Sequence, residues 1–208
     1  MSMGIQISAI VEGHGETDAL RIVCRRIGSE LLGGVYIDLG HIRRRPQGTL
    51  LTEAGLREAV EMSRSRMANS RLEGFTQLLL ILIDSEGQPP CRLAPKLHSW
   101  AKAACSDIDI ACVLPHPMFE TWFAAGAGSL AGYNDLPADL KPPPEPEANS
   151  VGKGWIMKQL KRKYAERIDQ PRFASKFDLA ECRANSRSFD KLCRELEARR
   201  SPPRAADG

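Results

Sequence analysis

The chain has 208 residues, of which 42% are hydrophobic and 26% are charged, and its formal net charge is +3. This length is typical of one domain that buries its own core, and so small a net charge does not by itself indicate a nucleic-acid-binding protein. The longest apolar run, LLLILI at 78–83, is too short to cross a bilayer, and MSMGIQIS at the amino terminus lacks the pattern of a secretion signal. The six cysteines include no C-x-x-C pair, so we expect reduced thiols in a cytoplasmic protein without a membrane span.

Predicted strands and helices alternate along the first half of the chain. Apolar, β-branched stretches predict strands at 4–11, 77–84 and 108–115, and residues 33–39 predict a turn followed by a strand. Apolar residues at helical spacing predict helices at 16–31, 52–67 and 91–105. Such alternation is typical of βαβ units, and strands that are apolar on both faces indicate a sheet covered on both sides. We predict a three-layer α/β fold with a mostly parallel sheet flanked by helices.

The composition changes after this α/β core, to which we assign residues 1–134. Residues 135–154 are rich in proline and charge, which predicts an extended loop or linker. Residues 155–208 form a basic C-terminal region with predicted helices at 155–168 and, after a serine cap, at 186–200. We expect this helical extension to pack on the core.

The stretch VEGHGET at 11–17 joins the first predicted strand to the first predicted helix. It has no lysine before the helix, which a Walker phosphate loop requires, and it has only two of the three glycines of a dinucleotide fingerprint. Its two acids, Glu12 and Glu16, would also repel a phosphate unless a metal lay between them. We interpret the stretch as a platform that holds an acidic side chain at the end of a strand.

Three carboxylates lie at the carboxyl ends of two predicted strands: Glu12 follows the first strand, Asp84 ends the third, and Glu86 comes two residues later. Open parallel α/β sheets bind their ligands at this end. Clustered carboxylates resist ionising together unless a cation compensates for their charge. Because oxygen ligands with open water positions suit Mg²⁺ or Mn²⁺, the sequence predicts a divalent metal site on Glu12, Asp84 and Glu86.

Four further side chains near this end have two interpretations each. His14 either contacts a phosphate or donates a proton, or it is an exposed loop residue. Glu16 either supports the metal ligands from behind or is an ordinary acid of a first helical turn. Glu120, in HPMFETWF, either points at the same end of the sheet or lies on an exposed face or in an ion pair. His116, in the same stretch, either binds a metal or a phosphate or marks the entrance of a helix.

The C-terminal region also carries a basic cluster around GKGWIMKQLKRKY. Lys153, Lys158 and Lys161 are candidates for phosphate-backbone contacts, although a solvated helix face is the ordinary fate of such a run. Trp155 and Tyr164 have the side chains to stack on bases, but core packing is the simpler interpretation.

Several motifs together resemble a known group of proteins. IVEGHGET followed by LLLILIDSEG resembles the Toprim fold, in which a glutamate at one strand end accompanies an acidic pair at the end of a later strand. The order of VEGxxE, D-x-[DE], HPMFETWF, SKFDLAE and SRSFDKL resembles a bacterial Toprim-like family, domain of unknown function 4276, over most of the chain.

This resemblance implies phosphodiester chemistry on nucleic acid, as in overcoming-lysogenization-defect nucleases, with a divalent metal on Glu12, Asp84 and Glu86. It also adds Lys176 and Arg187 as candidates for nucleic-acid binding. The usual second acid of the Toprim pair is an aspartate, whereas this chain has Glu86. The longer side chain moves that carboxylate outward, which weakens the case for a two-metal mechanism.

Two functions from different classes fit these observations. The first is a Mg²⁺-dependent nuclease or related phosphodiester-processing enzyme in which the metal activates the reaction. The second is a non-catalytic Toprim-like interaction module that partners an ATPase in a defence or toxin–antitoxin type system, which fits the absence of an ATP-binding loop in this chain. A small-molecule phosphohydrolase would need the acids but not the basic helix.

Overall fold

The computed structural model describes residues 4–13 and 15–200. Its strands are β1 (Gly4–Val11), β2 (Tyr36–Arg44), β3 (Phe75–Leu82) and β4 (Ile110–Val113). Its helices are α1 (Glu16–Arg26), α2 (Gln47–Leu50), α3 (Glu53–Asn69), α4 (Pro90–Ala104), α5 (Thr121–Ala125), α6 (Lys153–Gln159), α7 (Glu166–Ala174), α8 (Leu179–Asn185) and α9 (Arg187–Glu197). A π-helical turn, Ile27–Leu31, continues α1, and a 3-10 turn, Ala127–Leu130, follows α5. Within the described ranges, no helix combines the length and the apolar surface that crossing a membrane requires.

The strands form one parallel sheet in the order β2-β1-β3-β4. Ile10 of the central strand β1 lies between Arg43 of β2 and Ile81 of β3, and Leu82 of β3 pairs with Val113 of β4. The predicted α/β fold with a parallel sheet flanked by helices and a helical C-terminal region is therefore confirmed. Because all strands run the same way, their carboxyl ends share one end of the sheet, which we call the carboxyl rim.

The sheet separates two hydrophobic cores. Leu78, Leu80 and Leu82 of β3 face a core shared with α1 and the C-terminal helices, whereas Leu79 and Ile81 face a core shared with α3 and α4. Successive side chains of a strand point to opposite faces, so a strand covered on both sides must be apolar throughout. This requirement explains the uninterrupted run in β3.

Aromatic side chains join the C-terminal region to the first core. The ring of Trp122 packs against Phe189 at 5.2 Å, and that of Phe123 packs against Phe173 at 5.7 Å and Phe177 at 5.5 Å, all in edge-to-face arrangements. The indole nitrogen of the fully buried Trp122 donates a hydrogen bond to the Ser188 hydroxyl at 3.0 Å. These contacts attach α7, the segment before α8, and α9 to the α/β core.

Two serine or threonine caps expected from the sequence start their helices. The Thr52 hydroxyl accepts a hydrogen bond from the backbone N–H of Gly55 at 3.2 Å before α3, and the Ser186 hydroxyl accepts one from Phe189 at 3.1 Å before α9. Each bond satisfies a backbone donor that has no partner within the first turn of a helix.

A turn followed by the second strand was predicted at 33–39, and β2 runs from Tyr36 to Arg44, beyond the predicted end. Gly33 and Gly34 have φ angles of 69° and 86°, which places them in a turn. The polar second half of β2 escaped prediction because β2 is an edge strand, and an edge strand does not need apolar residues on both faces.

The predicted basic helix at 155–168 is wrong. Helix α6 ends at Gln159 and α7 begins at Glu166, with an irregular segment between them. Leu160 and Tyr164 are both buried, and the backbone N–H of Ala165 donates to the buried carboxylate of Asp169 at 2.7 Å. This contact starts a new helix, and the sequence periodicity did not reveal it.

Candidate metal centre

Three carboxylates meet at the carboxyl rim: Glu12, Glu16 and Asp84, which we call the acidic centre. Glu12 directly follows β1, Glu16 is the first residue of α1, and Asp84 lies two residues beyond β3. Because β1 and β3 are adjacent and parallel, their ends bring these segments together. One carboxylate oxygen from each residue lies within 4.8 Å of the other two.

Two glycines allow the β1–α1 loop to pack this closely. The backbone N–H of Gly13 donates to Glu16 at 3.1 Å, and a Cβ added at Gly13 would lie 2.7 Å from a Glu16 carboxylate oxygen. A Cβ at Gly15 would lie 2.1 Å from the side-chain oxygen of Gln170 on α7. The glycines of this loop therefore bring the acids and α7 close to the backbone.

The surroundings of the acidic centre raise the pKa values of its three acids. Burial raises the pKa of Glu12 to about 7, with further repulsion from Glu86 and Glu120. Burial, followed by repulsion from Glu12 and Glu120, raises the pKa of Glu16 to about 8. The pKa of Asp84 is raised well above its usual range, first by burial and then by the charges of Glu16, Glu12 and Glu120.

No lysine or arginine of the described ranges forms an ion pair with an acid of the centre. One carboxylate oxygen of Glu12, Oε2, is buried and has no hydrogen-bond partner in the part of the chain that the structure describes. Buried carboxylates in this situation either hold protons or bind a cation. The donor set consists of carboxylate oxygens, which are the ligands that Mg²⁺ and Mn²⁺ prefer, so these residues fit a hard divalent cation.

Glu120 lies beside the centre and is held by neutral donors. Its Oε1 atom accepts hydrogen bonds from the Tyr164 hydroxyl at 3.2 Å and from the Gln170 side-chain amide at 3.0 Å. The side chain of Glu120 is only 4% exposed, so its charge acts on the acidic centre through little water. Burial and the Glu120 charge raise the pKa of Tyr164. Glu120 therefore links the segment after α6 to the rim.

Glu86 and His116 lie at the outside of the rim. Glu86 is exposed with a φ angle of 44° in the turn after β3, and it is not part of the close carboxylate group, where Glu16 is found instead. Its charge nevertheless contributes to the raised pKa of Glu12. His116 contacts the Ser85 hydroxyl through Nδ1 at 2.6 Å. A role for Glu86 as a metal ligand stays a prediction, and His14 lies outside the described residues.

The predicted nucleic-acid-binding residues are spread over the C-terminal region. Lys153 forms an ion pair with Glu166, and Lys158, Lys161 and Lys176 are exposed. Arg187 lines a cleft of about 970 Å³ between α4 and α9, whose lining also includes Gly87 and His116. The described acids of the centre are not part of this lining, so the cleft adjoins the rim rather than containing the centre.

Base stacking by Tyr164 does not agree with the structure. The side chain is 5% exposed, and its ring stacks on Phe173 with centroids 6.4 Å apart. Trp155 is partly buried and packs against the first core. Both aromatic residues therefore contribute to core packing, which was the simpler interpretation.

Sequence reasoning missed two features of the site. The sequence predicts only a supporting role for Glu16. Its position four residues after Glu12, across a glycine-rich turn, nevertheless lets its side chain reach back toward the end of β1. Gln170 was not identified at all, because nothing in the sequence marks a glutamine in the middle of α7 as the contact of Glu120 and Gly15.

Comparisons with known proteins place the chain in a family. Neither a curated protein nor a solved structure matches it. The family model described as "Domain of unknown function (DUF4276)" matches residues 11–197, which is most of the chain and includes the acidic centre, and the chain therefore belongs to that family.

Proposed function

We propose that this protein is a Mg²⁺- or Mn²⁺-dependent nuclease, or a related enzyme that processes phosphodiesters of nucleic acid, with its metal bound at the acidic centre. The observation that carries the proposal is the meeting of Glu12, Glu16 and Asp84 at the carboxyl rim, within 4.8 Å of one another and without an ion pair to a lysine or arginine of the described ranges. Open parallel sheets bind their ligands at this end. The resemblance of VEGHGET and LLLILIDSEG to Toprim motifs supports the same chemistry.

In this proposal, each acid has a defined role. Asp84 and Glu12 hold the metal, and Glu16 closes the ligand set from the first turn of α1, where Gly13 orients it. Bound metal supplies a Lewis acid for a phosphoryl oxygen and a lower pKa for the attacking water. Glu86, which is exposed beside the centre, keeps the predicted role of a further metal ligand.

Other side chains of the rim would handle the substrate and its protons. His116, oriented by Ser85, has a ring nitrogen, Nε2, that can exchange a proton with a leaving group. His14 keeps the predicted role of a phosphate contact or proton donor. Lys153, Lys158, Lys161, Lys176 and Arg187 keep the proposed role of backbone contacts, which the exposure of all but Lys153 supports.

The test is a cleavage assay with supercoiled plasmid and single-stranded DNA or RNA in Mg²⁺, Mn²⁺ or EDTA. We expect nicking that depends on the metal and is lost in Asp84→Asn, because this change removes a central ligand but keeps the size of the side chain. Asp139→Asn is the matched control, since it makes the same change at an exposed aspartate that has no ion pair in the described ranges and lies outside the close group. It should keep most of the activity.

Two outcomes would contradict the proposal. One is cleavage by Asp84→Asn at the wild-type rate, which would indicate a contaminant. The other is absence of Mn²⁺ binding to the wild-type protein in calorimetry, which would show that the acidic centre does not bind the proposed metal. The ATPase partner stays a prediction, and co-purification of the chain with the product of a neighbouring gene tests it separately.

A further inference from the structure

A row of basic side chains lies on one face of the edge strand β2. His41 and Arg43 of β2, and Arg45 directly after its end, occupy alternate positions on the side of the sheet where α3 packs. The guanidinium of Arg45 contacts the Met62 sulfur of α3 at 3.5 Å. Arg66, one helical turn after Met62, extends the row. We call His41, Arg43, Arg45 and Arg66 the basic strip.

The positive charge of the basic strip is poorly compensated. Among the described residues, its one ion pair joins Arg45 to Glu58 at 3.6 Å, and the Glu58 side chain is 64% exposed. His41 Nε2 and Arg43 Nε are both buried without a hydrogen-bond partner in the described ranges. Burial, together with the neighbouring cations Arg45 and Arg66, lowers the pKa of Arg43. The same burial, with Arg43 and Arg66, lowers the pKa of His41, so His41 adds a hydrogen-bonding group to the strip instead of a full charge. Arginines held together in this way favour an anionic ligand.

The end of the basic strip lies next to the chain segments that carry the acidic centre. Arg44 pairs with Val11 across the sheet, and the backbone N–H of Arg45 donates to the Val11 carbonyl at 3.0 Å, one residue before Glu12. The side-chain amide of Gln47 donates to the backbone carbonyl of Asp84 at 3.0 Å. The segment that follows β2 therefore contacts both chain segments that carry the acids.

We propose that the basic strip binds the phosphodiester backbone of nucleic acid and directs it to the acidic centre. Arginine suits this ligand because its planar guanidinium offers paired donors to phosphate oxygens and stays charged. The strip lies on the α3 side of the sheet, whereas the C-terminal lysines belong to α6 and to the segments around α7, which pack on the other side. A nucleic-acid strand held by basic side chains on both sides of the sheet would cross the carboxyl rim over the acids.

The choice of a nucleic-acid backbone over other polyanions rests on the proposed function, but the test does not require cleavage. Binding of a labelled oligonucleotide, single-stranded and as a duplex, is measured in EDTA over a series of NaCl concentrations. The Arg43→Gln/Arg66→Gln protein should bind at least about tenfold more weakly, and the slope of log affinity against log salt should fall by about 2, one per lost phosphate contact.

The matched control is Arg25→Gln/Arg200→Gln, which loses the same charge from exposed arginines without ion pairs in the described ranges, away from the rim. It should keep the wild-type slope. Arg66→Glu, a change at an exposed helix position, is the second variant in case the change at Arg43 impairs folding, and it should weaken binding by itself.

Equal binding by the strip variants and the wild type would overturn the inference, as would an equal loss in the control or no binding by the wild type. Failure of the proposed function is visible separately. Mn²⁺ binding to the acidic centre, measured without nucleic acid, should be unaffected by the strip variants and abolished by Asp84→Asn. If Arg66→Glu loses cleavage but still binds Mn²⁺, this would support the inference that the basic strip binds the nucleic acid.

Discussion

At the scale of single residues, the acidic centre combines burial with repulsion. Glu16 is 5% exposed, and the charges that act on it come from Glu12 and Glu120. Both effects favour the protonated acids, which is why the pKa values of Glu12 and Glu16 rise to about 7 and about 8. A bound cation reverses this preference, so proton release and metal binding are coupled.

The coupling predicts that rising pH lowers the stability of the metal-free protein and increases the stabilisation that the metal gives. Above the ordinary glutamate pKa of 4.5 and up to about 8, the folded protein holds protons that the unfolded chain has lost, so without metal the free energy of unfolding should fall as pH rises. With Mn²⁺, protons compete with the metal, so the metal-induced rise in Tm should be larger near pH 8 than near pH 5. Thermal unfolding in EDTA and in MnCl₂ measures both effects.

Asp84→Asn serves as the control for this prediction. In EDTA it should be at least as stable as the wild type near pH 8, because it removes a repelling charge from the centre. It should also lose the Mn²⁺-induced rise in Tm. A rise of the same size at both pH values would show that the metal binds elsewhere.

At the scale of elements, one buried carboxylate organises the break between α6 and α7. Asp169 is fully buried and accepts hydrogen bonds from Arg162 at 2.6 and 2.8 Å, from the Ala165 N–H at 2.7 Å and from Asn134 at 3.1 Å. Burial alone would raise its pKa, but these donors outweigh burial and lower the pKa. The chain turns out of α6 so that Arg162 and Ala165 can reach this carboxylate.

Asp169→Ala should destabilise the protein by at least about 2 kcal/mol, because it leaves the Ala165 N–H and the Asn134 amide without their acceptor, and each such buried donor costs about 1–3 kcal/mol. The comparison is Asp135→Ala, which removes the exposed partner of the same Arg162, whose ion pair measures 2.8 Å. That change should cost less than about 1 kcal/mol, since exposed ion pairs contribute little. Urea unfolding of both variants gives the values, and equal losses would show that Asp169 does not organise the break.

At the scale of the whole molecule, the C-terminal helices complete the first core instead of forming a separate unit. Phe123, which is 1% exposed, packs against Phe173 and Phe177, and Trp122 packs against Phe189. Gln170 and Tyr164 from the same region hold Glu120 at the rim. Core and candidate site therefore both depend on residues after the proline-rich segment.

A fragment of residues 1–134 should therefore fail to fold cooperatively, because it would expose the aromatic side chains that the C-terminal helices cover. Urea unfolding, followed by circular dichroism and by Trp fluorescence, compares this fragment with the full chain. We expect a broad transition for the fragment and a single sharp one for the full chain. A sharp transition in the fragment would instead identify residues 1–134 as an independent domain.

Local patterns were enough to predict the α/β alternation, the parallel sheet and the position of Glu12 and Asp84 at its carboxyl end. Apolar strands covered on both faces leave an unmistakable run such as LLLILI, and parallel strands must end together. The caps Thr52 and Ser186 were also predictable from the sequence, because each hydroxyl accepts a hydrogen bond from a backbone N–H only three residues further along the chain. In these cases the physical cause lies within a short segment of the chain.

Only the tertiary structure decided which acids come together and where the basic helix breaks. Glu16 joins the close group through the packing of α1 on the sheet, whereas Glu86 turns outward, and their order in the sequence does not distinguish them. The end of α6 depends on Asp169, which lies ten residues after Gln159, and the support of Glu120 comes from Gln170, fifty residues away. These contacts form only when distant segments are folded together, so local sequence patterns carry no record of them.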